Sequence, residues 1–317
     1  MRIAAHLPLY PPGSRVGAWL STHLCLAEMV RRGHRVDVVT FLGGGSDDIT
    51  HAYGLDGVQV HPRAPFDPIA DGADVILSHL GDRGLASRWA KDHGIPSVRM
   101  VHGIPGPDHV IDDDLVVFNS ESLRKAVNWP GRTAVVHPPI DPVDYRTTPG
   151  DKVTLVNLTV PKGGALFWEL ARSMPEAQFL AVRGCYGQQV SNKAKNATVI
   201  DPTVDMVRDV YSRTRILLMP SEQETWGMAG IEAMASGIPV IAHPTPGLLE
   251  SLGDAGTFVD RDDPDGWRRA IRDLLSPSAW LEASARARAR AEAIDHRRQL
   301  DRFSRAVHSV LRAKAAA

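Results

Sequence analysis

Short apolar runs alternate along most of this chain with longer segments whose apolar positions recur three or four residues apart. Arg2 to Leu7 reads as a first strand, followed by a loop from Pro8 to Gly17. Leu20, Leu24, Ala27 and Val30 then repeat at helical spacing, and that helix stops at Arg31-Arg32-Gly33-His34, with basic residues in its last turn. Val36 to Phe41 is a second strand. Further apolar runs lie at Val75–Leu77, Ser97–Val101, Leu115–Phe118 and Ala134–Val136, with helical patterns such as Leu85–His93 and Glu121–Asn128 between them. Strand and helix in alternation predict a doubly wound α/β sheet.

The segment Pro138-Pro139-Ile140-Asp141-Pro142 makes a rigid connection, after which the alternation restarts. Strands are expected at Val153–Val156, Phe179–Val182 and Ala197–Ile200, and helices at Ala165–Arg172 and Val204–Ser212. The strand Ile216–Met219, a helix ending at Ser236-Gly237 and the strand Ile238–Ala242 follow. Two Rossmann-like domains are therefore expected, residues 1–143 and 144–297, facing each other across a cleft. From Trp280 onward the chain is rich in Ala and Arg and has no sheet pattern; Leu300, Phe303, Val307, Val310 and Leu311 mark one apolar helical face over about 298–317. Gly43-Gly44-Gly45 reads as a mobile loop.

Composition narrows the class. The 317 residues suit two domains, and 43% hydrophobic with 23% charged residues is the balance of a globular chain with ample core. A formal net charge of −1 offers no global attraction to nucleic acid or membrane. Two cysteines, Cys25 and Cys185, are too few and too isolated for a disulfide framework or metal cluster. Met1 to His6 reads as a strand start and not a secretory leader, and no apolar run reaches the ~20 residues of a membrane helix, so a cytoplasmic location without a membrane span is expected.

The most informative stretch runs from Pro220 to Ala242. It places Glu224 and Glu232 eight positions apart, one before the glycine-bearing turn at Gly227 and one inside the helix that follows. In a parallel sheet that turn lies at the carboxyl edge of the strands, where ligands bind. The helix tip offers the amides around Gly227, Met228 and Ala229 to an anion. Two carboxylates would repel a phosphate, but they suit the hydroxyls of ribose or a hexose. A ligand that is part phosphate and part sugar fits both features. Lys162, between Pro161 and Gly163 after the first strand of the second half, can reach a diphosphate as a point charge. His102 closes an apolar strand ahead of Gly103 and is placed to touch a sugar. His79 and His6, on the same strand edge, read as lining. Arg183, ahead of Gly184, is positioned to approach a diphosphate or nucleobase; Thr245-Pro246-Gly247 with Glu250 shapes a pocket wall. Ser120 reads as a plain helix N-cap, and Asp112-Asp113-Asp114 as a polar turn.

Glu224, Gly227, Glu232 and the following EAMASGIPVIA resemble the signature of retaining glycosyltransferases of the GT-B fold, family 4. The resemblance implies hexosyl transfer from a nucleoside-diphosphate sugar, UDP- or GDP-linked, to a hydroxyl acceptor (a small molecule, glycan or protein), with retained configuration. It also implies no metal or other cofactor, no protein nucleophile, and a last helix that crosses back to the N-terminal domain. Lys162 with Gly163 would neutralise the diphosphate, Glu224 and His102 would bind the hexose, and Glu232 would hold the ribose hydroxyls. Gly17 stands where the family has a glycine pair, with Val16 replacing the other glycine. Asn157 stands where the family usually has an arginine; Asn157 and Thr159 could supply neutral hydrogen bonds instead. Those two departures leave open a nucleotide-sugar binding protein without catalysis. A nucleotide-sugar epimerase of the same fold is a further alternative. Arginines 286 to 305 raise a nucleic-acid acceptor, but the acids among them make a solvated helical face the expectation.

Overall fold

The computed structural model describes residues 1–14, 16–42, 51–106, 109 and 111–315; Arg15 and the Gly43-Gly44-Gly45 run lie outside these. The chain divides into two compact units, one of residues 1–139 with 296–317 and one of 140–295.

The first unit holds eight strands: β1 (Arg2–Leu7), β2 (Arg35–Thr40), β3 (Tyr53–Leu55), β4 (Val58–Pro62), β5 (Val75–His79), β6 (Ser97–Val101), β7 (Leu115–Phe118) and β8 (Thr133–Val135). Their order across the sheet is β3-β4-β2-β1-β5-β6-β7-β8, and every pair is parallel except β3 with β4. The intervening helices are α1 (Gly17–Arg31), α2 (Asp67–Ala70), α3 (Leu85–Asp92) and α4 (Glu121–Val127). The period of two along a strand sends alternate residues to opposite layers. Ile3, Ala5 and Leu7 join Leu26 and Met29 of α1 in one core, whereas Ala4 of the same strand packs with Ala86 and Ala90 of α3. Val116 and Phe118 face Leu123 of α4.

The second unit has six strands, all parallel, in the order β11-β10-β9-β12-β13-β14. These are β9 (Lys152–Val156), β10 (Phe179–Val182), β11 (Ala197–Ile200), β12 (Thr214–Met219), β13 (Val240–Ala242) and β14 (Thr257–Phe258). The helices are α5 (Gly164–Ser173), α6 (Met206–Asp209), α7 (Met228–Ala235), α8 (Pro246–Leu252), α9 (Pro264–Leu275) and α10 (Pro277–Ala293). Ile216 and Leu218 of β12 pack with Phe167 of α5 and Trp267 of α9, while Leu217 and Met219 pack with Ile231 of α7 and Leu248 of α8. Helices thus cover both faces, as a parallel sheet requires. The final helix, α11 (His296–Ala315), belongs to the first unit, where Phe303, Val307 and Val310 enter the same core as α1.

Two features differ from the sequence reading, and a third is given its contacts. The helix expected over Val204–Ser212 is one turn, α6, capped by the Asp205 carboxylate accepting from the Arg208 amide at 2.9 Å; the chain breaks at Val210 and forms a 3-10 turn at Tyr211–Arg213. The break turns Tyr211 into the core, where none of it is exposed. The hairpin β3–β4 has no counterpart among the expected strands; it is closed by Asp56 and Gly57, both at positive φ (49° and 80°). The expected polar turn Asp112-Asp113-Asp114 is structural. Its middle carboxylate is buried against Arg99 at 2.6 Å, and its outer two bind Lys91 at 3.1 Å and the Ser97 amide at 2.8 Å. Ser120 does cap its helix, accepting from the Leu123 amide at 3.1 Å.

Candidate functional site

In the second unit the chain leaves β9 toward β10 and β11 on one side, and leaves β12 toward β13 and β14 on the other. The loops after β9 and β12 therefore diverge to opposite faces of the sheet, and the crevice outside their carboxyl ends is where ligands bind in such sheets. Lys162 stands on the first of these loops, at the end of the 3-10 turn Val160–Lys162, and Glu224 on the second. The structure brings the two together: the Lys162 ammonium donates to Glu224 Oε1, and the Ser221 hydroxyl donates to the same oxygen at 3.2 Å. Both side chains are largely, not fully, withdrawn from solvent (23% and 17% exposed), so the pair is at the surface of the crevice.

The loop that carries Glu224 is clamped on two sides. The Glu222 amide donates to the Pro161 carbonyl at 2.8 Å, and Gly163 lies so close that a Cβ there would sit 2.2 Å from Pro220 Cγ. On the other side Gly247 packs on the backbone of Glu224 and Thr225, and Thr245 caps α8 by accepting from the Leu248 amide at 3.2 Å. Gly227 then turns the chain into α7 at φ +80°, a conformation a side chain adopts at a cost. The first bond of the helix runs from the Gly230 amide to the Gly227 carbonyl at 3.0 Å, so the amides of Met228 and Ala229 lie in the tip before it.

Glu232 is in the next turn of α7 and only 7% exposed. Its Oε2 accepts from the Tyr211 hydroxyl at 2.6 Å. Burial pushes the Glu232 carboxyl up to about 7, and the hydrogen bond from Tyr211 pulls the other way. Tyr211 is not among the residues expected here. The signal for it, a tyrosine ahead of a buried strand, is absorbed into the expected helix.

Asn157 follows β9 in the left-handed region, at φ 72°. Its Oδ1 accepts from the Thr159 amide and from Gln189 Nε2, both at 3.3 Å. Asparagine is among the few side chains at ease in that conformation, which gives a local reason for it where the resembled family has arginine. Thr159 is buried and its carbonyl accepts from the Lys162 and Gly164 amides at 3.1 and 3.0 Å, shaping the turn that carries the lysine. Arg183 pairs with Asp201 at 2.5 Å at the surface.

In the first unit, His102 lies just past the carboxyl end of β6 and His79 at that of β5. His79 Nε2 and His102 Nδ1 are 3.1 Å apart, the rings are stacked, and Trp19 of α1 sits edge-on to His79. Burial pushes the His102 imidazole down to about 4; for His79 burial, followed by the neighbouring His102 and Arg99, holds it well below the usual range. Burial thus disfavours the charged form of both rings. Arg99, fully buried, donates to the His79 carbonyl at 2.9 Å and pairs with Asp113 and, at 3.7 Å, with Asp82. Asp82 also binds the His6 ring. Gly17 is the first residue of α1, behind an extended Val16.

Residues 168–277 match the family described as glycosyl transferases group 1, a span that includes Glu224, Gly227 and Glu232. The chain is similar to D-inositol 3-phosphate glycosyltransferase of Mycobacterium marinum (26% identity, covering 69% of this chain and 59% of that one). It is also similar to the protein of that name from Mycobacteroides abscessus (25% identity, covering 84% and 79%). The chain spans 59% of the first of these relatives and 52% of another, from Mycolicibacterium gilvum. Among solved structures it is similar to sucrose-phosphate synthase from Thermosynechococcus elongatus, with TM-score 0.81, 16% identity and coverage of 99% and 100%. HepE of Anabaena in complex with UDP-glucose gives 0.78, 17%, 97% and 99%. The fold is that of the GT-B glycosyltransferases.

Proposed function

We propose, for a chain that groups with the group 1 glycosyltransferases, that it transfers a hexosyl unit from a nucleoside-diphosphate sugar to a hydroxyl acceptor with retention of configuration and without a metal. The observation that carries this reading is the Lys162–Glu224 pair on the two diverging loops of the second sheet, beside the tip of α7 and one turn ahead of Glu232.

Lys162 would release Glu224 to meet the donor diphosphate, joined by the amides of Met228 and Ala229 and the positive end of the helix. These groups lie where negative charge grows as the bond from the anomeric carbon to the phosphate oxygen breaks, and fixed donors at such a place are worth most. Glu224 would then accept from hexose hydroxyls and Glu232 from those of the ribose. The acceptor oxygen bonds to the anomeric carbon on the face the diphosphate leaves, and its proton passes to the departing phosphate oxygen. No side chain is required as nucleophile. In the first unit, the His79–His102 pair would offer an imidazole to carbohydrate oxygen. Asn157 and Thr159 would line the diphosphate turn, and Arg183 would exchange Asp201 for the donor's outer end. UDP is the first donor nucleotide to try, in view of the UDP-glucose complex of the similar Anabaena protein.

A binding protein without catalysis is the second reading, favoured by Asn157 holding a position where a cation would add charge. Purified protein is to be incubated with UDP- and GDP-sugars and a panel of hydroxyl acceptors, D-inositol 3-phosphate included. The expected outcome is nucleoside-diphosphate release with an axial anomeric bond conserved in the product by NMR. Lys162→Ala and Glu224→Ala should each lower turnover by about 10²–10³-fold, the scale of losing one charge-stabilising group. Tight nucleotide-sugar binding with no turnover on any acceptor would favour the binding protein.

A further inference from the structure

We infer that Tyr211 is a positioning residue for nucleotide recognition, its phenol holding one oxygen of Glu232 so that the carboxylate meets the two hydroxyls of a ribose in a fixed orientation. The inference rests on the donor-site reading above and adds to it the group that aims the carboxylate.

Tyr211 opens the 3-10 turn that feeds β12, and it is wholly buried, with Tyr145 edge-on to its ring at 6.4 Å between centroids. A phenylalanine would fill that space as well. A hydroxyl in such a place is costly unless it is hydrogen-bonded, and here it donates to Glu232 Oε2 at 2.6 Å. The donor role is secure, because burial and the nearby Glu232 raise the phenol well above its usual range and keep its proton in place. A glutamate with both oxygens unengaged rotates about its last bond, and its acceptor directions are spread. With Oε2 tied down, the carboxylate plane is set, and the small part of Glu232 that reaches solvent has a defined direction. The phenol has a second effect. Burial alone favours the protonated acid, which accepts fewer hydrogen bonds; the Tyr211 bond opposes that and keeps the acceptor form populated near neutral pH.

The test is calorimetric titration at pH 7.5 with UDP and GDP, each beside its 2′,3′-dideoxy counterpart, using wild type, Tyr211→Phe, Glu232→Gln and the double variant. Wild type should prefer the ribonucleotide. Tyr211→Phe should weaken ribonucleotide binding by about ten-fold, the scale of one hydrogen bond to a charged group, and leave dideoxynucleotide binding unchanged. As pH is lowered, its ribonucleotide affinity should also fall away at a higher pH than in wild type. Glu232→Gln should abolish the preference, and adding Tyr211→Phe to it should change nothing further. That double variant carries no buried carboxylate at position 232, so the comparison with Glu232→Gln holds even where Tyr211→Phe alone folds poorly. A further loss of nucleotide affinity in it would show that the phenol acts other than through Glu232 and overturn the inference. If Tyr211→Phe prefers the ribonucleotide as strongly as wild type, or weakens both ligands alike, the inference is overturned while the donor site stands. A wild type indifferent to the ribose hydroxyls overturns the role given to Glu232, and this inference with it.

Discussion

Glu232 is a buried carboxyl raised to about 7, against an ordinary value near 4.5. Folding therefore favours its protonated form, and its contribution to stability is fully present below about 4.5 and lost as pH rises through about 7. Wild type should lose stability relative to Glu232→Gln between pH 5 and pH 8, by at most about 3 kcal/mol, since each tenfold change in proton affinity is worth about 1.4 kcal/mol. Urea unfolding of the two proteins at both pH values checks this; a constant difference would mean that Glu232 is ionised throughout. At this scale the sequence is informative where residues act within one turn or loop. Lys162, Gly227 and the Glu224/Glu232 spacing can be read because strand, turn and helix are adjacent in the chain. The partners of those residues cannot be read. Glu232 meets Tyr211 from 21 positions away, and Arg99 meets Asp113 from 14. Such pairs are set by tertiary packing, which composition and spacing do not encode.

Elements position the candidate site residues through close approach. Gly227 enters α7 at φ +80°, and a Cβ there would fall 2.6 Å from Leu248 Cδ2 and 2.9 Å from Met219 Cε. Gly227→Ala should cost about 1–3 kcal/mol through strain and overpacking, shift the amides of Met228 and Ala229, and lower nucleoside-diphosphate affinity in the same titration. Destabilisation without loss of affinity would show that the helix tip is not the phosphate seat. Most strands and several helices, α1, α5 and α11 among them, are legible from periodicity, including the apolar stripe Phe303–Val307–Val310 of α11. The β3–β4 hairpin escapes that pattern, although its Asp56-Gly57 turn is a recognised hairpin signal, because its strands are three and five residues long. The helix expected before β12 fails for a physical reason: its apolar positions serve two short turns that bend Tyr211 inward.

At the scale of the whole molecule, one architecture is built twice, a parallel sheet covered on both faces by helices, with α11 returning to complete the core of the first unit. The alternation of strand and helix makes that organisation readable. Chemistry is distributed unevenly over it. The first unit holds a buried histidine pair with Arg99 bonded to the His79 carbonyl, while the second pairs Lys162 with Glu224 at the reversal of its strand order, ahead of the α7 tip, with Glu232 one turn into that helix. On the proposed reading, the nucleotide therefore binds in the second unit. A crystal structure of the protein grown with UDP tests that most directly. The diphosphate should lie against the Lys162 ammonium and the amides of Met228 and Ala229, with Glu232 on the ribose hydroxyls. UDP bound elsewhere, with the Lys162–Glu224 pair undisturbed, would contradict the account.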